Sequence, residues 1–196
     1  MQRPASQLCY FLGPRFTQWL YSAETLCRVT PYQILNYVAD KMLELYGANA
    51  LVWAMHANLG NEAALLVEHG FRLVCSEDQA AALCRRNLEN AGLGTALQLR
   101  LDVHIDQPDE WPEADVVLLN PPWGQSYERQ RKQHFDLGKL RVGEQSFLEL
   151  FDAVRERYGS VVVISPARSV RFDQQRPADQ VLEFTKLRIL FYKTLP

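Results

Sequence analysis

One short motif, Asn120-Pro121-Pro122-Trp123, combines residue types that could act on a planar amino group. Each proline lacks a backbone N–H and has a fixed φ, so the pair ends a strand and holds a rigid loop beyond it. The side-chain oxygen of Asn120 and the carbonyl of Pro121 could accept both hydrogens of an exocyclic –NH2 group. The nitrogen lone pair would then face an electrophile. Trp123 adds a flat face for stacking a purine, and a cationic purine would stack most strongly.

The motif resembles the signature of Rossmann-like methyltransferases that modify amino nitrogens. We therefore predict that Asn120, Pro121 and Pro122 are the catalytic residues and that Trp123 binds the substrate. The alternative interpretation is a proline-rich turn that merely ends a strand, with Trp123 as a core residue.

Apolar runs typical of buried strands alternate with amphipathic stretches typical of helices. The predicted strands are 50–55, 71–75, 96–101, 114–119 and 160–165, followed by a hairpin of 181–184 and 187–192. The predicted helices are 30–46, with Thr30 as N-cap and Pro31 in its first turn, 61–69, 78–91 and 144–158, and 125–143 is predicted as a loop. Strands that alternate with helices and are followed by a hairpin predict an α/β fold. We expect a doubly wound, mostly parallel seven-stranded sandwich with a C-terminal antiparallel hairpin.

The composition of the 196 residues, 47% hydrophobic and 22% charged, is that of an ordinary globular domain. We predict an N-terminal extension over 1–29 that packs on a single domain over 30–196. No apolar run approaches the ~20 residues that span a bilayer, so no membrane partner is predicted. The four cysteines show no spacing typical of a metal site, so no metal is predicted. They are interpreted as reduced thiols of an intracellular protein, and the sequence does not specify its cellular compartment.

The charge is unevenly distributed along the chain. Residues 1–120 hold 8 Lys and Arg against 14 Asp and Glu, whereas residues 121–196 hold 13 against 9. The positive part is the part that follows the Asn-Pro-Pro-Trp motif, which is compatible with a phosphate-bearing substrate. On charge alone, solvated helix faces are the simpler interpretation.

Further short motifs are spaced through the chain as they are in one known family. They are Thr30-Pro31 after an aromatic-rich segment, Ala114-Asp115-Val116-Val117 leading into Asn120-Pro121-Pro122-Trp123-Gly124, Tyr127, Phe135-Asp136, and Pro166 with Arg168. On these motifs the chain resembles the trimethylguanosine synthase family over nearly all its length. The resemblance implies a Rossmann-like class I methyltransferase that uses S-adenosylmethionine to methylate the exocyclic amino group of a 7-methylguanosine RNA cap.

The resemblance also implies a set of substrate contacts. Trp123 would stack on the cationic methylated guanine, although the family usually has Ser or Asp at the position of Asn120. Arg168 would meet cap phosphates, together with one residue of the basic loop. The candidates in that loop are Arg129, Arg131 and Lys132, and we place Tyr127 and Arg131 in the predicted substrate site.

The first cofactor-binding segment departs from the family pattern. After the first strand the family has an acidic residue and a glycine-rich loop that lets the backbone approach the methionine part of the cofactor. Here Trp53 stands at the acidic position, and only Gly60 and Asn61 match the loop. Leu59 adds a branched side chain where the family keeps the loop bare, and it could fill the methionine pocket.

The remaining predicted cofactor residues are acidic or polar. In the family, the acid that binds the ribose follows the second strand. Counting back from Asn87 without a gap places Cys75 at that position, whereas a deletion of two residues places Glu77 there. Glu77 is our prediction. Asp102 matches the acid that reads the adenine amino group, and Thr30 completes the predicted set through the Thr-Pro motif.

A matching substrate motif combined with a departing cofactor loop leaves two possible functions. One is an active S-adenosylmethionine-dependent methyltransferase that acts on RNA, capped or structured. The other is a catalytically inactive, methyltransferase-like RNA-binding or structural subunit of a larger ribonucleoprotein assembly. A third interpretation, methylation of adenine or of a protein amide, shares the Asn-Pro-Pro element, but Trp123 and the match over 125–136 count against it.

Overall fold

The computed structural model describes residues 5–14, 16–26, 28–77, 80–93, 98–99, 105, 107–121, 136–167 and 170–193. The chain divides into two units, Met1–Asp102 and Val103–Pro196. Each unit alternates strands and helices, as the apolar runs and amphipathic stretches of the sequence predict.

The first unit is built on three parallel strands. They are β1 (Leu51–Met55), β2 (Arg72–Ser76) and β3 (Gln98–Leu99), with β2 paired to both of the others. Its helices are α1 (Ala5–Leu12), α2 (Ala23–Leu26), α3 (Tyr32–Tyr46), α4 (Asn61–Glu68) and α5 (Ala81–Asn90), with a 3-10 turn over Phe16–Gln18. The register sets Ala54 beside Cys75 and Met55 beside Ser76, so β1 and β2 end at the same edge.

The second unit contains four longer strands and a small two-stranded hairpin. They are β4 (Val116–Leu119), β5 (Arg141–Val142), β6 (Gln145–Ser146), β7 (Val161–Pro166), β8 (Gln180–Glu183) and β9 (Leu187–Tyr192). Its helices are α6 (Phe147–Tyr158) and α7 (Val170–Gln175), with 3-10 turns over Pro108–Glu110 and Leu137–Lys139. Strands β4 and β7 are parallel, β7 and β9 are antiparallel, β8 closes the C-terminal hairpin with β9, and β5 pairs with β6.

These strands confirm the predicted α/β class, with parallel strands first and an antiparallel hairpin last. In β1, β2, β4 and β7 nearly every residue is buried, which is why these parallel strands appear as continuous apolar runs in the sequence. In β4 and β7 every residue is buried. Behind them, the rings of Phe147, Phe151 and Phe172 form an aromatic cluster whose centroids lie 5.1 to 5.4 Å apart in contacting pairs.

Several predicted boundaries were wrong by a few residues. Helix α3 begins at Tyr32 and Pro31 takes the cap position, so Thr30 is not the N-cap; the carbonyl of Pro31 accepts the first backbone N–H groups instead. Helix α6 begins at Phe147, not Glu144, because Gln145–Ser146 turns back to pair with Arg141–Val142. Ser146 then caps the helix with a capping box that involves Glu149.

Two further expectations also need correction. Residues 136–143 were predicted as loop but contain a 3-10 turn and strand β5. On α6 the buried residues are Phe147, Leu150, Phe151 and Val154, whereas Leu148 is only half-buried. Helix α7 was not predicted, because it is short and polar.

Among the described residues no helix combines the length and apolar character needed to cross a bilayer. In the same residues no group of three or more His, Cys, Asp and Glu side chains is arranged to hold a metal ion.

Candidate functional site

The loop that joins β1 to α4, residues 56–60, is hereafter called the cofactor loop. Its backbone adopts the left-handed conformation at three positions, with φ of 63° at His56, 48° at Asn58 and 85° at Gly60. Glycine takes this conformation without cost, and asparagine and histidine are among the other residues that take it more often than most. The loop therefore makes the tight turn of a glycine-rich loop with a single glycine.

Glu77 is the first residue after β2, and its buried carboxylate is hydrogen-bonded on both oxygens. Oε2 accepts the backbone N–H of Asn58 at 2.5 Å, and Oε1 accepts the backbone N–H of Ala80, just before α5, at 3.0 Å. Glu77 thus ties the cofactor loop to the start of α5.

Cys75, the alternative to Glu77 from the ungapped alignment, lies inside β2 with no exposed surface. Burial, followed by the nearby Cys84 and Glu62, raises the pKa of its thiol well above the ordinary value, which keeps it neutral. Burial likewise raises the pKa of Cys84 on α5 to about 12. A neutral thiol in the core does not offer the hydrogen-bond acceptors that ribose hydroxyls require, whereas Glu77 does.

Gly60 is required by close packing against α5. A Cβ at this position would lie 3.0 Å from Cγ of Leu88 and 3.3 Å from Sγ of Cys84, and its φ of 85° disfavours any other residue. Asn61, the first residue of α4, and Thr30, just before α3, are both buried. Gly60, Asn61 and Thr30 therefore lie in the packed interior of the first unit.

Trp53 and Leu59, the two residues that depart most from the family pattern, are core side chains. Both are 0% exposed, and Nε1 of Trp53 donates to Oγ of Ser76 on the neighbouring strand at 2.8 Å. Within the cofactor loop only Asn58 keeps more than marginal exposure. The backbone that should lie open to a methionine group is therefore mostly enclosed by protein.

Asn87 on α5 was not predicted as a site residue, yet its side chain holds the cofactor loop. Its Nδ2 donates to the carbonyl of Leu59 at 3.0 Å and to the carbonyl of Leu20 at 2.9 Å, and its Oδ1 accepts the N–H of Leu20 at 2.7 Å. The available sequence signal was an asparagine on the same helix face as Cys84 and Leu88, which is an unusual place for an amide.

In the second unit, Asn120 directly follows β4 and Pro121 comes next. Val116 to Leu119 are at most 1% exposed, Asn120 is 9% exposed and Pro121 is buried. Leu119 is paired with Val163 in the parallel strand β7, so Asn120 stands at the carboxyl end of a buried parallel strand. Ligands of open α/β folds bind at that edge.

The remaining predicted site residues lie outside the described part of the chain. They are Pro122, Trp123, Tyr127, Arg129, Arg131, Lys132, Asp102 and Arg168. Their assignments stay predictions from the sequence.

Solved structures of methyltransferases share this fold. A precorrin-6Y C5,15-methyltransferase from Geobacter metallireducens is 15% identical and covers 91% of this chain and 95% of its own, with a TM-score of 0.61. A candidate RNA methyltransferase from Pyrococcus horikoshii is 16% identical over 85% of this chain and 87% of its own, at a TM-score of 0.59.

An O-methyltransferase from Bacillus cereus, solved with S-adenosylhomocysteine, is 11% identical over 84% of this chain and 82% of its own, with a TM-score of 0.56. No protein-family profile matches the chain, and no curated protein sequence does either. At these identities the likeness shows the fold: a Rossmann-like fold of the class I methyltransferase type.

Proposed function

We propose that this protein is an S-adenosylmethionine-dependent methyltransferase that modifies an exocyclic amino nitrogen in RNA. The observation that carries the proposal is Asn120, a buried polar residue immediately after a buried parallel strand and followed by Pro121, in a methyltransferase fold. Asn120 and the Pro121 carbonyl are acceptors for the two amino hydrogens, which leaves the nitrogen lone pair free to attack a methyl group. Such a reaction depends on alignment more than on a strong base, because the proton can leave after alkylation.

The finer assignment is the amino group of a 7-methylguanosine cap. It rests on the resemblance of 114–136 to the trimethylguanosine synthase family and on the stacking role predicted for Trp123. RNA as the substrate class is supported by the positive balance of residues 121–196 and by the likeness to the candidate RNA methyltransferase. An intracellular location follows from that substrate class.

For the cofactor, the first unit offers an acid that fits and a loop that fits only in part. Glu77 follows β2 and carries a carboxylate, the type of acceptor that ribose hydroxyls require, and the cofactor loop makes the tight left-handed turn. The same loop is enclosed, with Ala57 and Leu59 at 0% exposure. S-adenosylmethionine would supply an electrophilic methyl group; the turn of the loop favours its binding, whereas the covered backbone counts against it.

The enclosed loop favours a second candidate function, a catalytically inactive RNA-binding or structural subunit of a ribonucleoprotein assembly. Trp53 and Leu59 complete the core at the positions where the family keeps an acid and a bare backbone. A protein that needs no cofactor gains packing by these substitutions, since buried apolar area is stabilising.

Calorimetry with S-adenosylhomocysteine and transfer of labelled methyl groups separate the two functions. We expect the wild-type chain to bind S-adenosylhomocysteine and to methylate a 7-methylguanosine cap analogue in preference to adenine-containing RNA or a protein amide. Asn120→Ala should bind the cofactor product normally and lose about 10²-fold in methyl transfer, because a misplaced nucleophile costs that much.

Asn90→Ala, at an exposed position on α5, serves as the matched control and should behave as wild type. No heat and no thermal shift at millimolar S-adenosylhomocysteine would refute the enzyme. Retention of capped RNA by that same chain would then support the non-catalytic subunit.

A further inference from the structure

The segment 17–26, called here the N-terminal strap, is joined to the cofactor loop through the buried side chain of Asn87. We propose that Asn87 is a positioning residue that latches this strap to the loop and holds the loop in its cofactor-binding turn. The proposal rests on the proposed function and adds to it the element that controls the cofactor site.

The side-chain amide of Asn87 makes hydrogen bonds to both of the segments that it joins. Both Nδ2 hydrogens and one Oδ1 lone pair are committed to backbone groups, two at Leu20 in the strap and one at Leu59 in the loop. Asn87 is 1% exposed and its bond to the Leu59 carbonyl is buried, so removing the side chain leaves that carbonyl in the interior without this partner. A buried backbone group left without its partner costs free energy comparable to a lost hydrogen bond.

A second contact connects the same two segments directly. Nδ2 of Asn58, in the loop, donates to the carbonyl of Thr25, in the strap, at 3.3 Å. The strap is anchored by the buried side chains of Trp19 and Leu26. The strap and the cofactor loop are therefore held at two points, of which Asn87 is the buried one.

The loop needs such support because its backbone is not in a relaxed conformation. His56 and Asn58 have φ of 63° and 48°, a left-handed conformation that costs free energy in residues other than glycine. Strained residues persist only where their surroundings over-determine them. Here the supports are the carbonyl of Ser76 for the Ala57 N–H, the carboxylate of Glu77 for the Asn58 N–H, and the amide of Asn87 for the Leu59 carbonyl.

Removing the Asn87 amide should consequently loosen the loop and weaken cofactor binding together. We expect Asn87→Ala to raise hydrogen exchange of the Asn58 and Gly60 amides about tenfold, the equivalent of one lost hydrogen bond. We expect the Kd for S-adenosylhomocysteine to rise by a similar factor of about ten. Amides of β9 should exchange as in wild type.

The control is Asn90→Ala, three residues further along α5, where Nδ2 donates to the carbonyl of Gln18 in the strap at 3.4 Å from an exposed position. This variant should leave both readouts unchanged. Asn87→Asp is the second variant in case Asn87→Ala does not fold, because it keeps the shape and the acceptor but removes both donors.

Unchanged loop exchange in Asn87→Ala or Asn87→Asp would overturn the proposal. Faster loop exchange with an unchanged Kd would overturn the positioning role, because a merely structural residue lowers the melting temperature without altering the affinity of the folded protein. A wild-type chain that binds no S-adenosylhomocysteine would refute the proposed function instead, and the exchange data would still decide whether Asn87 couples the strap to the loop.

Discussion

Replacing Glu77 by alanine should strongly destabilise the first unit, because its carboxylate holds two backbone N–H groups in the interior. The bonds to Asn58 and Ala80 are 2.5 and 3.0 Å long, and Glu77 is only 7% exposed. Hydrogen bonds to a charged group are worth about 1.5–3 kcal/mol each, so Glu77→Ala should lose about 3–6 kcal/mol.

Glu77→Gln tests whether charge and both acceptors are needed. The amide oxygen of glutamine can still accept one N–H, but its NH2 group faces the other donor and leaves it without an acceptor. We therefore expect a loss of about 2–4 kcal/mol, smaller than that of Glu77→Ala. The same variant should weaken binding of S-adenosylhomocysteine, since it alters the acceptor that we propose for the ribose hydroxyls.

Urea unfolding at pH 7, followed by circular dichroism, measures both variants. Glu89→Gln is the matched control, an exposed glutamate on α5, and it should unfold within about 0.5 kcal/mol of wild type. A loss of unfolding free energy below about 1 kcal/mol in Glu77→Ala would refute the reasoning, because neither hydrogen bond would then contribute as expected to stability.

Three further predictions concern packing, backbone and pH. Phe151→Ala in the aromatic cluster should cost about 3–5 kcal/mol in urea unfolding, because its ring is 1% exposed, and a cost below 1 kcal/mol would contradict that packing. Gly60→Ala should lower stability by about 1–3 kcal/mol through its φ of 85° and the clash with Leu88, and an unchanged urea midpoint would contradict it. Hydrogen bonds from the backbone and then the side chain of Ser146 lower the pKa of Glu149 from its ordinary 4.5. The stabilisation from the Glu149 carboxylate should therefore be complete above pH 4.5 and be lost as the pH falls through the lowered pKa of the folded protein. The urea midpoints of wild type and Glu149→Gln should consequently converge at acid pH.

The fold class and the placement of Asn120 followed from the sequence because they depend on local patterns. Buried parallel strands appear as continuous apolar runs, and a proline pair ends a strand wherever it occurs. Strand β4 and the hairpin of β8 and β9 therefore lie within about two residues of their predicted limits. Boundaries such as the start of α6 were missed because the pairing of β5 with β6 decides them.

Only the tertiary structure decided what the unusual residues of the first unit do. The sequence offered both Cys75 and Glu77 and we predicted Glu77, but only the structure shows that Cys75 lies buried inside β2 and that Glu77 follows it. The sequence also could not show that Trp53 and Leu59 are enclosed, or that Asn87 bridges two distant backbone segments. Burial and hydrogen-bond partners are set by residues far apart in the chain, such as Asn87 and Leu20 at 67 positions, and no local pattern contains that information.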